Sequence, residues 1–160
     1  MLAKLSLALY AFMMLGVGTE IRHCRKAVNG CEARMRVFAT WMCDAGQQYR
    51  VSPFTLAAIA YVETGLDPFK VGKVGERGIM QVHPRSPWVR AVGGLPGSCR
   101  AHGACQKKVI QAGAVALSSG ARVCNSELEA LGYYNTGKCS ITRYARRVLS
   151  IKKRMENVGR

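Results

Sequence analysis

The chain has 160 residues, of which 49% are apolar and 21% are charged. This composition is enough for one folded domain with a hydrophobic core, and it excludes a wholly disordered chain. The formal net charge is +15, which suits an acidic partner such as nucleic acid, an anionic membrane or a bacterial envelope polymer. Charge alone does not choose among these three.

Residues 1–18 have the pattern of an export signal. A single charge at Lys4 precedes an apolar run from Leu5 to Leu15, which is shorter than the roughly 20 residues that a membrane-spanning helix needs. Small residues follow at 16–18, where a signal peptidase would cut, although the commoner alanine pattern is missing. We predict export to the periplasm or cell envelope, with an uncleaved N-terminal anchor as the alternative.

All seven cysteines lie downstream of this segment. None has the paired spacing of a zinc site, so no metal is expected, and disulfides formed in an oxidising compartment explain them better. The pairs we expect are Cys99 with Cys105 above all, then Cys24 with Cys31 and Cys124 with Cys139, which leaves Cys43 unpaired. The sequence does not fix this connectivity.

The rest of the chain reads as helices joined by long loops. Apolar residues at helical spacing predict helices over 34–49, 107–121 and 141–155, the last with the apolar stripe Ile141, Tyr144, Val148, Ile151 and Met155. Ser126 followed by Glu129 forms a capping box, which predicts a further helix running toward Tyr134. No strand-like alternation stands out, so the predicted fold class is all-α. Residues 67–97 are rich in glycine and proline and predict a long irregular region, which is usually functional.

Glu63 is the candidate catalytic residue. The pair Ser52–Pro53 predicts a helix start, and Gly65 predicts its end. Glu63 therefore lies in the last turn of an almost wholly apolar helix. Desolvation, the negative helix end and the lack of a basic residue within a turn favour its protonated form, which general acid catalysis requires. The alternative is an exposed glutamate at a fraying helix end.

Three blocks of sequence occur in order, namely AIAYVETGLDP at 58–68, GERGIMQVHP at 75–84 and GYYNTG at 132–137. Together they resemble the catalytic domain of the soluble lytic transglycosylases, which are lysozyme-like enzymes that cut the glycan strands of peptidoglycan. The resemblance runs from about residue 36 to residue 155. It implies a single lysozyme-like all-α domain with no cofactor.

The resemblance also implies roles for individual residues. Glu63 would be the sole catalytic acid and base, and the substrate-binding residues would be Thr64, Met80, Gln81, Tyr134 and Asn135. Thr64 stands where the family usually has serine, Tyr133 replaces the usual alanine, and Glu76 occupies a position that is commonly uncharged. Four of these residues have a plainer reading: Met80 as core, Tyr134 and Asn135 as a helix end, and Glu76 as a solvated pair with Arg77.

The chemistry suits a chain with few acidic residues. Most glycosidases need a second carboxylate besides the acid, and Glu76 is the candidate here, because Asp67 before Pro68 reads as a turn residue. In a transglycosylase the C6 hydroxyl of muramic acid attacks the anomeric carbon, so one carboxylate is enough. The leading function is a lytic transglycosylase that leaves a 1,6-anhydromuramic product. A lysozyme-type hydrolase and a non-catalytic peptidoglycan-binding protein are the alternatives.

The predicted organisation is a signal or anchor at 1–18, a cysteine-containing leader at 19–35 and a catalytic domain at 36–155. The expected partner is peptidoglycan, and the chain is expected to be a monomer. It would serve a secretion or conjugation machinery, a phage particle or general wall remodelling. Nucleic acid is not expected, because no basic and aromatic recognition motif is found.

Overall fold

The structure is a computed structural model that describes residues 2–15, 30–96 and 104–158. The described residues form seven helices and no extended strand, which confirms the all-α prediction. The helices are α1 (Leu2–Leu15), α2 (Cys31–Tyr49), α3 (Pro53–Thr64), α4 (Pro87–Ala91), α5 (Ala104–Val123), α6 (Glu127–Thr136) and α7 (Arg143–Val158).

Helix α3 is bounded as its sequence predicts. The Ser52 hydroxyl accepts a hydrogen bond from the backbone N–H of Thr55 at 3.4 Å, with Pro53 in the first turn. At the other end Gly65 adopts a left-handed conformation with φ 65°, and its N–H bonds back to the carbonyl of Tyr61. The helix therefore ends one residue after the catalytic candidate and its neighbour Thr64.

Helix α3 is also the centre of the packing. It contacts α1, α2, α5 and α7, and every residue from Thr55 to Ala60 is buried. From α2, Met35, Phe38 and Met42 supply large side chains that are at most 2% exposed. A helix enclosed by four others has a fixed axial rotation, so the direction of its last side chains is fixed as well.

Helix α1, which falls within the predicted export signal, packs against α2. Leu9 and Met13 are fully buried, and the guanidinium of Arg36 lies 4.1 Å from the centroid of the Tyr10 ring. Among the described residues no helix is both long enough and apolar enough to cross a membrane. Export remains a prediction.

The capping box before α6 forms with a shift of one residue. The Ser126 hydroxyl accepts from the backbone N–H of Glu129 at 3.2 Å, while the Glu129 carboxylate accepts from the N–H of Asn125 at 2.9 Å. A disulfide between Cys124 and Cys139 encloses this helix, which confirms that predicted pair. A closed loop of this size stabilises a fold by about 3 kcal/mol in the chain-entropy model.

The remaining cysteines match the predictions as far as the described residues reach. Cys43, which the predicted pairs left over, is a buried free thiol there, and burial raises its pKa to about 11, so the thiol stays protonated. Cys31 and Cys105 are disulfide-bonded. Their predicted partners, Cys24 and Cys99, lie outside the described residues.

Two predictions need correction. The region 67–97 is predicted to be irregular, yet it contains the short helix α4. Like α3, this helix begins with a serine followed by a proline. The Ser86 hydroxyl accepts a hydrogen bond from the Val89 N–H at 3.2 Å, and Pro87 is the first residue of the helix. The last helix begins at Arg143, after Ile141, which is 50% exposed and so does not belong to the buried stripe.

Candidate active site

Glu63 lies partly buried in the last turn of α3, beside the first turn of α7. The hydroxyl of Tyr144, from α7, donates a hydrogen bond to Glu63 Oε1 at 2.8 Å. The ammonium of Lys70 donates to the backbone carbonyl oxygen of the same glutamate at 2.5 Å. The side chain and the main chain of Glu63 are thus held by different parts of the chain.

Opposing influences act on the acidity of Glu63. Burial raises its pKa and is the largest influence, while the hydrogen bond from Tyr144 and the charge of Lys70 lower it. The nearby carboxyl of Glu76 raises it, and the net pKa lies above the ordinary glutamate value. No basic residue lies within one turn of Glu63 in the sequence, as predicted. In the folded protein, however, Lys70 lies beside Glu63, because the loop folds back onto the helix end.

A buried glutamine fixes the loop that follows α3. Gln106, on α5, is fully buried. Its Nε2 donates to the carbonyl of Pro68 at 3.0 Å, and its Oε1 accepts from the N–H of Ile79 at 3.1 Å. Because both backbone groups would otherwise be unpaired in the interior, this side chain ties the two ends of the loop to α5.

Gln81 closes the same loop from the other side. Its backbone is left-handed, with φ 49°, a conformation that is uncommon for residues other than glycine. Its side-chain Nε2 lies 3.0 Å from the carbonyls of both Lys70 and Gly78. These contacts offset the cost of the left-handed backbone and hold the amide at the edge of a groove.

The groove consists of two adjoining cavities. The larger, of about 480 Å³, is lined by Glu63, Lys70, Val71, Gly72, Lys73, Glu76, Gln81, Tyr134 and Asn135. The smaller, of about 190 Å³, continues past Trp88 and His83. Both cavities share Glu76, Gln81 and Tyr134, so the groove runs on both sides of these three residues.

A comparison with protein families identifies the chain. The family model described as the transglycosylase SLT domain matches residues 41–157, which is most of the chain. The chain belongs to the transglycosylase SLT domain family. No curated protein and no solved structure gives a match. This SLT-domain protein is accordingly a peptidoglycan lytic transglycosylase, a glycan-cleaving lyase of lysozyme-like all-α fold, and its substrate places it in the periplasm or cell envelope.

In this SLT domain, two of the expected substrate-binding residues lie behind the groove. The Thr64 hydroxyl bonds to the carbonyl of Ile79 at 3.0 Å, and Met80 is fully buried. The hydroxyl of Tyr134 donates to the carbonyl of Met80 at 2.9 Å. A Cβ on Gly113 of α5 would lie 2.6 Å from the Met80 methyl carbon, so Met80 fills core space under the groove, as its plainer reading predicted.

The other expected residues come together around Glu63. Gln81, Tyr134, Asn135 and Glu76 all line the larger cavity with it. The Glu76 carboxylate accepts from the N–H of Val74 at 3.2 Å. The expected pair with Arg77 does not form, because no ion pair joins Glu76 to Arg77 among the described residues.

Sequence reasoning missed three contributors to this site. Tyr144 was assigned to the apolar stripe of α7, yet its hydroxyl reaches Glu63; a tyrosine in a core stripe is itself a signal, because a buried hydroxyl needs a partner. Lys70 and Gln106 were not singled out, since their partners are defined by the folded loop. No group of side chains suited to a metal ion occurs in the described part of the chain.

Proposed function

We propose that this lytic transglycosylase cleaves the β-1,4 bond between N-acetylmuramic acid and N-acetylglucosamine with Glu63 as its single general acid and base. The observation that supports this most is the setting of Glu63. It lines the groove, its pKa is raised by burial, and Tyr144 fixes one of its oxygens at 2.8 Å. Such a carboxyl keeps its proton to a higher pH than an ordinary glutamate does, and the bond from Tyr144 fixes the direction in which it presents that proton.

The proposed reaction has two proton transfers through the same group. Tyr144 donates to Oε1, so Oε2 carries the proton and delivers it to the glycosidic oxygen as the bond to the anomeric carbon breaks. The carboxylate of Glu63 then accepts the proton of the C6 hydroxyl as that oxygen attacks the anomeric carbon. A 1,6-anhydromuramic end forms, and Glu63 regains its proton.

The neighbouring residues would bind and position the sugars. Asn135 is exposed in the groove, where its carboxamide can bond to hydroxyl or acetamido groups. The amide of Gln81 borders both cavities, and Tyr134 forms the wall between them while holding the carbonyl of Met80. Thr64 and Met80 would act through the backbone that they support.

A hydrolase is the second candidate, and the position of Glu76 favours it. This carboxylate lines both cavities and forms no ion pair among the described residues. A second carboxylate in the groove can activate water.

Product analysis tests the proposal. Purified peptidoglycan is digested with the protein, and the fragments are analysed by mass spectrometry. Ends of the 1,6-anhydro type, which lack one water relative to reducing ends, are the expected result. Reducing ends would move the assignment to the hydrolase, and the absence of any fragment would contradict the proposed reaction.

Glu63→Gln is expected to abolish cleavage while leaving glycan binding intact, because glutamine keeps the shape but carries no transferable proton. General acid and base catalysis contributes about 10²–10⁴-fold, and one residue here serves both steps, so the loss should reach the upper part of that range. Rates are measured by release of soluble fragments.

Matched variants serve as controls for this prediction. Glu76→Gln and Asp67→Asn should cost much less if the sugar supplies its own nucleophile. A Glu63→Gln variant within about tenfold of wild type would rule out the mechanism. An inactive Glu76→Gln variant that still binds glycan would indicate the hydrolase.

We further propose that residues 1–18 direct export, that 19–35 form a leader and 36–155 the catalytic domain, and that the protein acts as a monomer. The machinery it serves would be a secretion or conjugation system, a phage particle or the remodelling apparatus of the wall. The basic charge of +15 supports an anionic envelope partner.

A further inference from the structure

We propose that Lys70 and Lys73 form a carboxylate-binding position in the groove, which selects glycan strands whose muramic acid residues carry anionic peptide stems. Both lysines line the larger cavity together with Glu63. The inference rests on the proposed function, since it specifies what the glycan in that groove must carry.

The position of Lys70 is fixed at both ends. Its backbone carbonyl accepts from the N–H of Gly78 at 3.2 Å and from Nε2 of Gln81 at 3.0 Å. Its ammonium donates to the backbone carbonyl of Glu63 at 2.5 Å. An ammonium has three donors, so two remain to meet a substrate at the mouth of the groove.

Lys73 extends from a tight turn beside it. The turn is closed by a bond from the N–H of Gly75 to the carbonyl of Gly72 at 3.1 Å, and the Glu76 carboxylate accepts from the N–H of Val74 at 3.2 Å. The Lys73 side chain is exposed. Among the described residues it forms neither an ion pair nor a hydrogen bond.

The acidic residues of the cavity bond to other groups, although the charge of Lys70 does act on Glu63. Glu63 accepts from the Tyr144 hydroxyl and Glu76 accepts from a backbone N–H, and neither forms an ion pair with a lysine in the described part of the chain. Once Glu63 carries its catalytic proton, the lining holds two ammonium groups and one carboxylate. This excess of positive charge favours a carboxylate on the substrate over a neutral sugar polymer.

The test compares peptidoglycan with the same material after its carboxylates have been converted to methylamides by carbodiimide coupling. Binding is measured by co-sedimentation in a Glu63→Gln background, so that cleavage plays no part. The parent variant should bind unmodified peptidoglycan several-fold more tightly. Lys70→Gln and Lys73→Gln should each reduce this preference by about two- to fivefold, as expected for one solvent-accessible charge pair.

Lys153→Gln is the matched control, because it removes the same charge from an exposed position on α7 outside the groove. Preference retained in Lys153→Gln and lost in the groove variants supports the proposal, as does a preference that falls with rising salt. Equal binding of the two materials by the parent, or equal losses in all three lysine variants, overturns it. The proposed reaction is tested independently, by the product analysis of the wild-type protein.

Discussion

At the scale of single residues, the site depends on a carboxyl kept in an unfavourable environment. Glu63 is buried far enough to raise its pKa above the ordinary glutamate value, although Tyr144 and Lys70 both oppose that shift. The protein therefore favours the protonated form of this acid more than water does, and the folded state carries a cost when the group ionises.

Glu63→Gln is for that reason expected to stabilise the fold at neutral pH. A group whose folded pKa is raised contributes stability that is fully present below its unfolded pKa and is lost as the pH rises through the folded value. Glutamine never ionises, so its melting temperature should exceed that of wild type at neutral pH. The gain should vanish below the ordinary glutamate pKa.

Calorimetry over a pH series measures this effect. Asp44→Asn on the exposed face of α2 removes a carboxylate outside the core and should show no comparable gain. A Glu63→Gln variant that is less stable than wild type at every pH would contradict the prediction.

Tyr144→Phe tests the hydrogen bond that orients the acid. The bond from Tyr144 lowers the pKa of Glu63, so its removal should raise that pKa further and move the alkaline limb of the pH–rate profile to higher pH. The loss of orientation should lower kcat by up to about tenfold, in line with a hydrogen bond of about 0.5–1.5 kcal/mol.

Lys70 and Glu76 also shift the pKa of Glu63, and the charge of Glu63 acts on the pKa of Tyr134. All three residues stay unchanged in this variant. Tyr49→Phe on α2, outside the groove lining, is the control and should leave the profile in place. An unshifted alkaline limb in Tyr144→Phe would show that the bond does not act on the catalytic proton.

At the scale of elements, the loop between α3 and α4 is the part that turns a helix end into a groove. Gln106 of α5 holds the loop through hydrogen bonds to the backbone of Pro68 and Ile79. Gln81, which is part of the loop, bonds to the carbonyl of Lys70. The lining residues Lys70, Lys73 and Glu76 all lie on it. The geometry of the site therefore depends on a side chain of α5 that touches no substrate.

Gln106→Met is expected to destabilise the protein and to lower activity together. Methionine keeps the approximate shape but leaves a buried carbonyl and a buried N–H unpaired, at about 1–3 kcal/mol for each. Urea unfolding gives the stability and fragment release gives the activity. Gln48→Met on the exposed surface of α2 should change stability by less than about 0.5 kcal/mol. Equal effects of the two substitutions would show that Gln106 does not hold the loop in place.

At the scale of the whole molecule, charge and N-terminal structure bear on where the protein acts. The outer face of α7 presents the exposed residues Arg143, Arg146, Arg147, Lys153 and Arg154, which accords with an anionic envelope. Helix α1 covers part of α2 in the full chain, with Leu9 and Met13 fully buried. Removal of an export signal would uncover that part of α2.

We expect residues 1 to about 18 to be removed on export. Mass spectrometry of protein recovered from the periplasm should then show an N-terminus near Thr19, because Gly16–Val17–Gly18 supplies the small residues that a signal peptidase reads. Recovery of the chain with residues 1–18 intact would favour the anchor.

The sequence by itself determined the features that depend on neighbours along the chain. Ser52, Pro53 and Gly65 bound α3 with bonds that span five residues or fewer, and Ser126 likewise starts α6. The Ser86–Pro87 start of α4 was equally local and was overlooked inside a loop rich in glycine and proline. The three motif blocks indicated the family and named Glu63.

Only the tertiary structure decided which groups meet at the site. Tyr144 and Glu63 are 81 positions apart, and Gln106 and Pro68 are 38 apart, so no local pattern pairs them. Helix packing brings α7 against α3 and thereby places the tyrosine on the acid. The same packing places Met80 in the core and not in the groove lining, where it was predicted. The exposure of a side chain depends on which residues pack over it and not on its own sequence position.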